Sequence, residues 1–243
     1  ILFMIVGLKF SRIIASKLFS TFGPFFRSKK IIEKNISFAF QKSDKEFKKA
    51  IISNMWKSYG KILAEYVFMK YFRKIESEKF LEIKGQKILE KIKDSKEPVI
   101  FVSGHFNNFE LMAMHIEKSG VDLAAIYRPL NNNFLNPFME NIRKRYICRK
   151  QIKKGISGTK ETLRHFKSGT SIALMIDQRV SQGIKSLLFN NAALTTTIPA
   201  QFVKKFNCKV VPIYIERKSN ENFMLEIMQP INFNNGESIE NIT

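Results

Sequence analysis

The sequence has few of the side chains that build disulfide frameworks, zinc sites and covalent catalytic centres. Two isolated cysteines, Cys148 and Cys208, occur among 243 residues, which argues against a disulfide scaffold and a structural zinc site and is typical of a reducing compartment. The chain has no Gly-x-Ser-x-Gly motif, so no serine nucleophile of the hydrolase type is indicated. It also has no internal repeat and no low-complexity segment.

Acidic residues are scarce relative to basic ones. The chain has 21 Asp and Glu against 41 Lys and Arg, a formal net charge of +20. Such a balance favours polyanionic partners, namely nucleic acid, anionic lipid headgroups or acidic proteins. The chain is also rich in Ile, Asn and Phe, a bias that an AT-rich genome imposes on any protein, so part of the charge carries no function.

The N-terminus lacks an apolar run long enough for a transmembrane helix. Such a helix needs about 20 apolar residues, and Lys9 interrupts this run. Apolar and basic side chains fall on different faces: Leu8, Ile13, Ile14, Leu18 and Phe19 on one, Lys9, Arg12 and Lys17 on the other. Residues 1–26 are therefore predicted to form an amphipathic helix in a membrane surface. A clipped signal anchor and a core helix are the alternatives.

Further helices are predicted before residue 98, at Ile31–Phe40, Phe47–Arg73 and Gln86–Lys93. Ser43 and Glu46 have the spacing of a capping box, with Ser43 as the N-cap. Because the chain starts at Ile1 and stops in mid-pattern at Thr243, we expect clipping at one or both ends.

From Pro98 onward, strands and helices alternate. Predicted strands are Val99–Val102, Leu123–Tyr127, Ser171–Ile176, Lys209–Ile215 and Phe223–Met228. Predicted helices are Asn107–Lys118, Phe134–Arg145, Thr159–Phe166 and Pro199–Phe206. This alternation predicts the α/β class, with a mixed central sheet flanked by helices and a helical N-terminal region. Residues 27–243 are expected to form one such domain, clipped at its C-terminus.

A histidine and a glutamate stand where the first of these strands gives way to a helix. The apolar run ends at Ser103-Gly104, His105 follows, and Glu110 stands five positions later. Strand-to-helix turns are the usual position of reacting groups in α/β proteins. Residues five apart on a helix diverge by roughly 140°, so the two side chains meet only if His105 lies in the turn. The pair predicts a general base, His105, held by Glu110, and a surface or capping pair is the alternative.

The other two histidines, His115 and His165, lie on ordinary helical segments. Both are expected to be structural or exposed to solvent.

Four segments, in order, resemble one enzyme family. They are Ser103–Glu110, Tyr127–Asn132, Met175–Gln178 with Gly183, and Leu188–Phe189 through Thr195–Ala200. Together they are similar to the late acyltransferases of lipid A synthesis, the lauroyl/myristoyl transferases of the lysophospholipid acyltransferase superfamily. The likeness covers most of the chain.

The resemblance implies an enzyme on the cytoplasmic face of the bacterial inner membrane. It would move a fatty acyl chain from acyl carrier protein to a hydroxyl of a lipid A precursor. By analogy His105 matches the catalytic base and Glu110 its partner. Arg128 and Asn132 match a substrate-binding block, and Asp177 and Gln178 match the third block. No metal or cofactor and no nucleic-acid partner is implied.

The resemblance also implies how the reaction would proceed and what the excess of basic residues would bind. The acceptor hydroxyl would attack the thioester, and backbone N–H groups at the start of the predicted Asn107 helix would bind the oxyanion. Arg128, Arg143 and Arg145 suit bidentate phosphate binding, although a solvated helix face explains the last two equally well. Juxtamembrane cations could add about 1 kcal/mol each toward an anionic surface: Lys9, Arg12, Lys17, Arg27, Lys29 and Lys30.

The chain departs from the family pattern at two places. The usual Phe-Phe-Gly is Leu188-Phe189-Asn190, and a following Pro is Ala192. From the resemblance we expect a further C-terminal stretch beyond Thr243, and with it some of the acyl-chain or docking contacts.

Two other functions stay open from the sequence. One is an acyltransferase of the same superfamily that acts on a glycerophospholipid such as lysophosphatidate, although those enzymes more often have Asp where Glu110 stands. The other is a basic nucleic-acid-binding protein, which the charge alone permits.

Overall fold

The computed structural model describes residues 2–234 and 236–243, which contain ten α-helices and nine β-strands. The contacts between residues divide the chain into two compact units. The first comprises Ile1–Tyr71 with Leu187–Ala192, and the second comprises Phe72–Ser186 with Ala193–Thr243. The domain boundary predicted at residue 26 concerns membrane contact and stays a prediction.

The first unit is built from helices α1 (Leu2–Phe22), α2 (Lys29–Ala39) and α3 (Lys45–Tyr66). A 3₁₀ turn, Gly23–Phe26, follows α1. Gly7, with φ 77° and ψ 167°, breaks the helical path of α1. None of the described helices combines the length and the apolar character that a bilayer crossing requires.

Two details of this unit differ from the sequence prediction. Arg12, expected to face an anionic membrane, lies buried, and its Nε donates to Glu65 Oε1 at 2.6 Å. A buried carboxylate needs a cation beside it, which is why Arg12 turns inward. The N-cap of α3 is Asp44, whose Oδ1 accepts the Phe47 N–H at 2.7 Å, instead of Ser43. The carboxylate suits the helix N-terminus better than a hydroxyl because of the helix dipole.

The second unit contains a seven-stranded sheet. Its strands are β1 (Leu81–Lys84), β2 (Ile100–Ser103), β3 (Leu123–Tyr127), β4 (Lys150–Lys153), β5 (Ser171–Met175), β8 (Val210–Arg217) and β9 (Phe223–Ile227), in the order β1-β9-β8-β2-β5-β3-β4. All neighbouring pairs are parallel except β8 and β9. β6 (Ile184–Leu188) and β7 (Asn191–Thr195) form a separate two-stranded sheet.

The remaining helices are α4 (Met69–Lys74), α5 (Gln86–Ser95), α6 (Glu110–Lys118), α7 (Leu135–Ile142), α8 (Ile156–Lys167), α9 (Ile198–Phe206) and α10 (Ile239–Ile242). Helices cover both faces of the central sheet. On one face, Phe166 of α8 and Phe202 of α9 pack on Ile100 and Val102 of β2. On the other, Ser103 Oγ contacts Met112 Sδ of α6 at 3.3 Å. Strands covered on both faces are mostly apolar, and β2 is apolar up to its last residue, Ser103.

The predicted fold class is confirmed: an α/β protein with a mixed sheet and a helical N-terminal region. All five predicted strands exist, with ends shifted by at most two residues. Four strands were missed, namely β1, β4, β6 and β7. The helix predicted over Phe47–Arg73 is two helices, α3 and α4. The one predicted from Asn107 begins at Glu110, and α7 ends in a π-helical turn, Arg143–Ile147.

Candidate active site

The site lies where parallel strands β2 and β5 end side by side. Ser103 is paired with Met175 in the sheet register, and His105 and Asp177 each stand two residues beyond that pair. Because the carboxyl ends of parallel strands meet at one edge of the sheet, the two side chains emerge together. This edge is the usual ligand-binding position in open α/β sheets.

His105 is held by both oxygens of the Asp177 carboxylate. Its Nδ1 lies 2.7 Å from Oδ1, and its backbone N–H donates to Oδ2 at 2.8 Å. An ionised carboxylate only accepts hydrogen bonds, so Nδ1 carries the proton and Nε2 keeps a lone pair. The Gln178 Nε2 lies 3.4 Å from this Nε2. The arrangement presents an imidazole in the tautomer that accepts a proton.

The electrostatics of Asp177 reflect this contact. Partial burial raises the pKa of the carboxyl, but the hydrogen bonds from the His105 side chain and backbone outweigh it, so that the pKa lies below its ordinary value. Both side chains remain partly open to solvent, at 34% for His105 and 42% for Asp177. The site is therefore accessible to a substrate.

The turn between β2 and α6 is shaped by two backbone features. A Cβ on Gly104 would lie 3.0 Å from the Phe106 ring and 3.3 Å from Asp177 Oδ2, so glycine permits the close approach of the carboxylate. Asn107 has φ 41°, a left-handed conformation that asparagine tolerates better than most residues. The Phe109 ring packs edge-on against the imidazole, with 4.8 Å between ring centroids.

Glu110 is the first residue of α6 and is buried, with 6% of its surface exposed. Its Oε1 accepts hydrogen bonds from Arg143 Nε at 2.8 Å and Nη2 at 2.6 Å. The Arg143 guanidinium also lies 5.5 Å from the Tyr127 ring centroid. A buried carboxylate is stable only beside a cation, which is why Glu110 points to Arg143. The carboxylate that touches His105 is thus that of Asp177.

The other residues predicted for the site occupy different positions. Arg128 follows β3 at the same sheet edge and is exposed. Asn132 accepts the backbone N–H of Phe134 at 2.9 Å and of Leu135 at 3.0 Å, so its side-chain oxygen caps α7. Arg145 is exposed and lies over the ring of Tyr146. The guanidinium of Arg143 is almost fully buried, which turns it away from solvent.

His115 is buried and structural, which is one of the two alternatives that the sequence left open for it. Its Nε2 lies 3.0 Å from Gln86 Oε1, and burial lowers its pKa to about 4. It lines a cavity of about 670 Å³ beside β1, whereas a second cavity of about 540 Å³ lies between α5 and Pro230. Neither of these cavities contains His105.

Comparison with known families identifies the chain. The model of the bacterial lipid A biosynthesis acyltransferase family matches residues 1–243. The chain belongs to this family. The resemblance read from the four sequence segments is thereby confirmed, and the protein is an acyltransferase. The comparison with curated proteins gave no match.

The sequence indicates Asp177 as a position of the family's third block but not as the partner of His105. The two residues are 72 positions apart, with β3 and β4 between them in the chain. The pairing could not be predicted in this lipid A acyltransferase family member because the sequence does not show that β5 lies next to β2. The one sequence feature that pointed to the site is that His105 and Asp177 each follow a buried strand.

Proposed function

We propose that this lipid A acyltransferase family member transfers a fatty acyl chain from acyl carrier protein to a hydroxyl of a lipid A precursor, with His105 as general base. The family supports the reaction class and the lipid acceptor. The observation that carries the proposal is the 2.7 Å contact between His105 Nδ1 and Asp177, because it leaves Nε2 as the proton acceptor.

The proposed step begins at the acceptor hydroxyl. His105 Nε2 takes its proton as the oxygen attacks the thioester carbonyl carbon. The tetrahedral intermediate then collapses, the carbon–sulfur bond breaks, and the departing thiolate receives the proton from Nε2. An ester and a thiol result, and His105 is regenerated. General base catalysis of this kind contributes roughly 10²–10⁴-fold in rate.

Asp177 is proposed to fix the tautomer and to stabilise the imidazolium that forms after proton transfer. Gln178, at 3.4 Å from Nε2, marks the position that the acceptor hydroxyl would take. Glu110, first predicted as the direct partner of His105, is instead proposed as a positioning residue. Its bonds to Arg143 hold the first turn of α6 behind the catalytic turn.

Charge stabilisation is proposed to come from two sources. Backbone N–H groups of the turn and of the first turn of α6 would bind the oxyanion, because a helix N-terminus carries donors without intrahelical acceptors. Phosphates of a lipid A precursor would be bound by Arg128, which is exposed at the same sheet edge, and by Arg145. Arg143 is assigned no phosphate because Glu110 occupies it.

We also propose that the protein works on the cytoplasmic face of the bacterial inner membrane. Support comes from large apolar side chains that the N-terminal unit leaves in solvent, with Phe25 84% and Phe26 83% exposed. Arg27, Lys29 and Lys30 follow them directly and are exposed. Aromatic residues beside cations suit an anionic interface.

A labelled transfer assay tests the function. The protein would be incubated with an acyl carrier protein thioester in two separate reactions, one containing a lipid A precursor and the other lysophosphatidate. Binding to a nucleic-acid oligomer would be measured in parallel. The proposal expects acyl transfer to the lipid A precursor and none by His105→Ala. Transfer to lysophosphatidate alone would indicate the glycerophospholipid reaction. Oligomer binding that His105→Ala leaves unchanged, without any transfer, would indicate a nucleic-acid-binding protein.

A further inference from the structure

The loop before α7 and the first turn of that helix expose an unusual group of large apolar side chains. We call it the α7 patch: Leu130, Phe134, Leu135 and Phe138, with exposed fractions of 37%, 92%, 54% and 55%. Phe134 and Phe138 lie one helical turn apart and so share a face. A contiguous exposed apolar patch on a soluble surface marks an interaction site.

The chain holds this patch in a defined conformation. Asn132 Oδ1 accepts the N–H groups of Phe134 and Leu135. Asn136 Oδ1 accepts the N–H of Leu130 at 2.8 Å, and its amide nitrogen donates to Glu140 at 2.8 Å. These asparagine bonds fix the loop at both ends, so the exposure of the rings is a feature of a braced segment.

Cations flank the patch. Arg128 precedes it, Lys153 ends the neighbouring strand β4, and Lys154 lies one residue beyond that end, with its N–H donating to Tyr127 O at 2.8 Å. All three cations are exposed. Lys153 is ion-paired with Glu140 of α7 at 3.3 Å, so the positive charge of the rim rests mainly on Arg128 and Lys154. Ile156, just beyond, adds another exposed apolar side chain, at 85%. An uncharged apolar centre with a basic rim is the pattern of a surface that inserts into an anionic bilayer.

The patch lies on the same side of the sheet as His105. Strands β2, β5, β3 and β4 are adjacent and parallel, so their carboxyl ends share one edge. His105 follows β2 and Arg128 follows β3, two strands away, which corresponds to about 10 Å. A bilayer touching the patch would therefore lie beside the imidazole.

We propose that the α7 patch inserts into the headgroup region of an anionic bilayer and holds the His105 edge against the lipid surface. The inference rests on the proposed function, since it supplies the route by which a lipid acceptor reaches His105. An acidic carrier protein is the competing occupant. The uncharged centre, residues 130–138, favours lipid over a protein recognised by charge.

A tryptophan probe tests the insertion locally. The Phe134→Trp variant would be mixed with vesicles of phosphatidylethanolamine and phosphatidylglycerol, with and without lipids brominated near the headgroup. The emission of the wild type, which contains Trp56, would be subtracted as background. The matched control is Ile231→Trp. Ile231 is 43% exposed and bridges Val210 at the opposite edge of the sheet. The proposal expects a blue shift and quenching at position 134 and neither at position 231.

A loss-of-contact variant complements the probe. Phe134→Ser should lower partitioning into the same vesicles about tenfold, while acyl transfer to detergent-dispersed acceptor is unchanged. The proposal would be overturned by equal quenching at positions 134 and 231, or by no quenching at position 134. It would also be overturned if the emission at position 134 shifted only when acyl carrier protein was added. The fluorescence readout needs no turnover, so a wild type without transfer activity would refute the proposed function and leave this result interpretable.

Discussion

Asp177 accepts two hydrogen bonds from His105, one from the imidazole Nδ1 at 2.7 Å and one from the backbone N–H at 2.8 Å. The contact joins the ends of two adjacent strands and fixes both the rotamer and the tautomer of the histidine. The site thus consists of a base and its orienting carboxylate, one from each strand, next to the aromatic ring of Phe109.

Asp177→Asn should lower the rate of acyl transfer by about 10²-fold or more. The asparagine amide can donate to Nδ1, which moves the ring proton to Nε2 and removes the base. The rate would be measured under single-turnover conditions. Glu110→Gln is the comparison, because it changes a carboxylate that contacts Arg143; a larger loss for Glu110→Gln than for Asp177→Asn would favour the pairing first predicted from the sequence.

The buried pair of Glu110 and Arg143 should behave as a unit in stability. The two side chains are 8% and 12% exposed, so Glu110→Ala should cost about 3–5 kcal/mol by leaving a buried guanidinium without its carboxylate. Denaturant unfolding of Glu110→Ala, Arg143→Ala and the double variant measures this coupling. The double variant should lose less than the sum of the singles. The exposed Arg145→Ala, expected within about 0.5 kcal/mol of wild type, is the control, and strict additivity would contradict the prediction.

Gly104→Ala should impair catalysis more than folding. The new Cβ would crowd the Phe106 ring and Asp177 Oδ2, and relieving the contact displaces the carboxylate from His105. We expect a stability loss of about 1–3 kcal/mol together with a clear fall in kcat. Activity and thermal unfolding measured on the same preparation separate the effects. A variant with wild-type kcat would show that the close approach at Gly104 is unimportant.

Stability should fall with acidification because of His115. Burial, with a smaller contribution from Lys118, lowers its pKa from 6.5 to about 4. Between these values the unfolded chain binds a proton that the folded chain does not, so stability decreases as the pH drops and levels off below about 4. The full loss is on the order of 3 kcal/mol. Unfolding free energies of wild type and His115→Gln across this range test it: parallel curves would contradict the assignment.

The sequence predicted the elements with strong apolar patterns and missed the short polar ones. β2 and β5 have buried apolar runs, and their positions were predicted almost to the residue. β1 (Leu-Glu-Ile-Lys) and β4 (Lys-Gln-Ile-Lys) lie at the edges of the sheet. Each has at most two apolar residues, because an edge strand buries little, and so the pattern gave little signal.

The candidate site was predicted in part for a similar reason. His105 lies in the turn before α6, as local pattern indicated, and Asp177 was named from the family blocks. Their pairing depends on strand order, which joins residues 72 positions apart and leaves no local trace. The partner of Glu110 was missed because Arg143 approaches from the end of α7, whose packing against α6 cannot be read from spacing.

The most direct test of the account is the single-turnover rate of acyl transfer by His105→Ala on a lipid A precursor. We expect a fall of roughly 10²–10⁴-fold, the amount that a positioned general base contributes. Unfolding should be like that of wild type because the side chain is one-third exposed. A folded His105→Ala protein that transfers acyl chains at the wild-type rate would contradict the central claim.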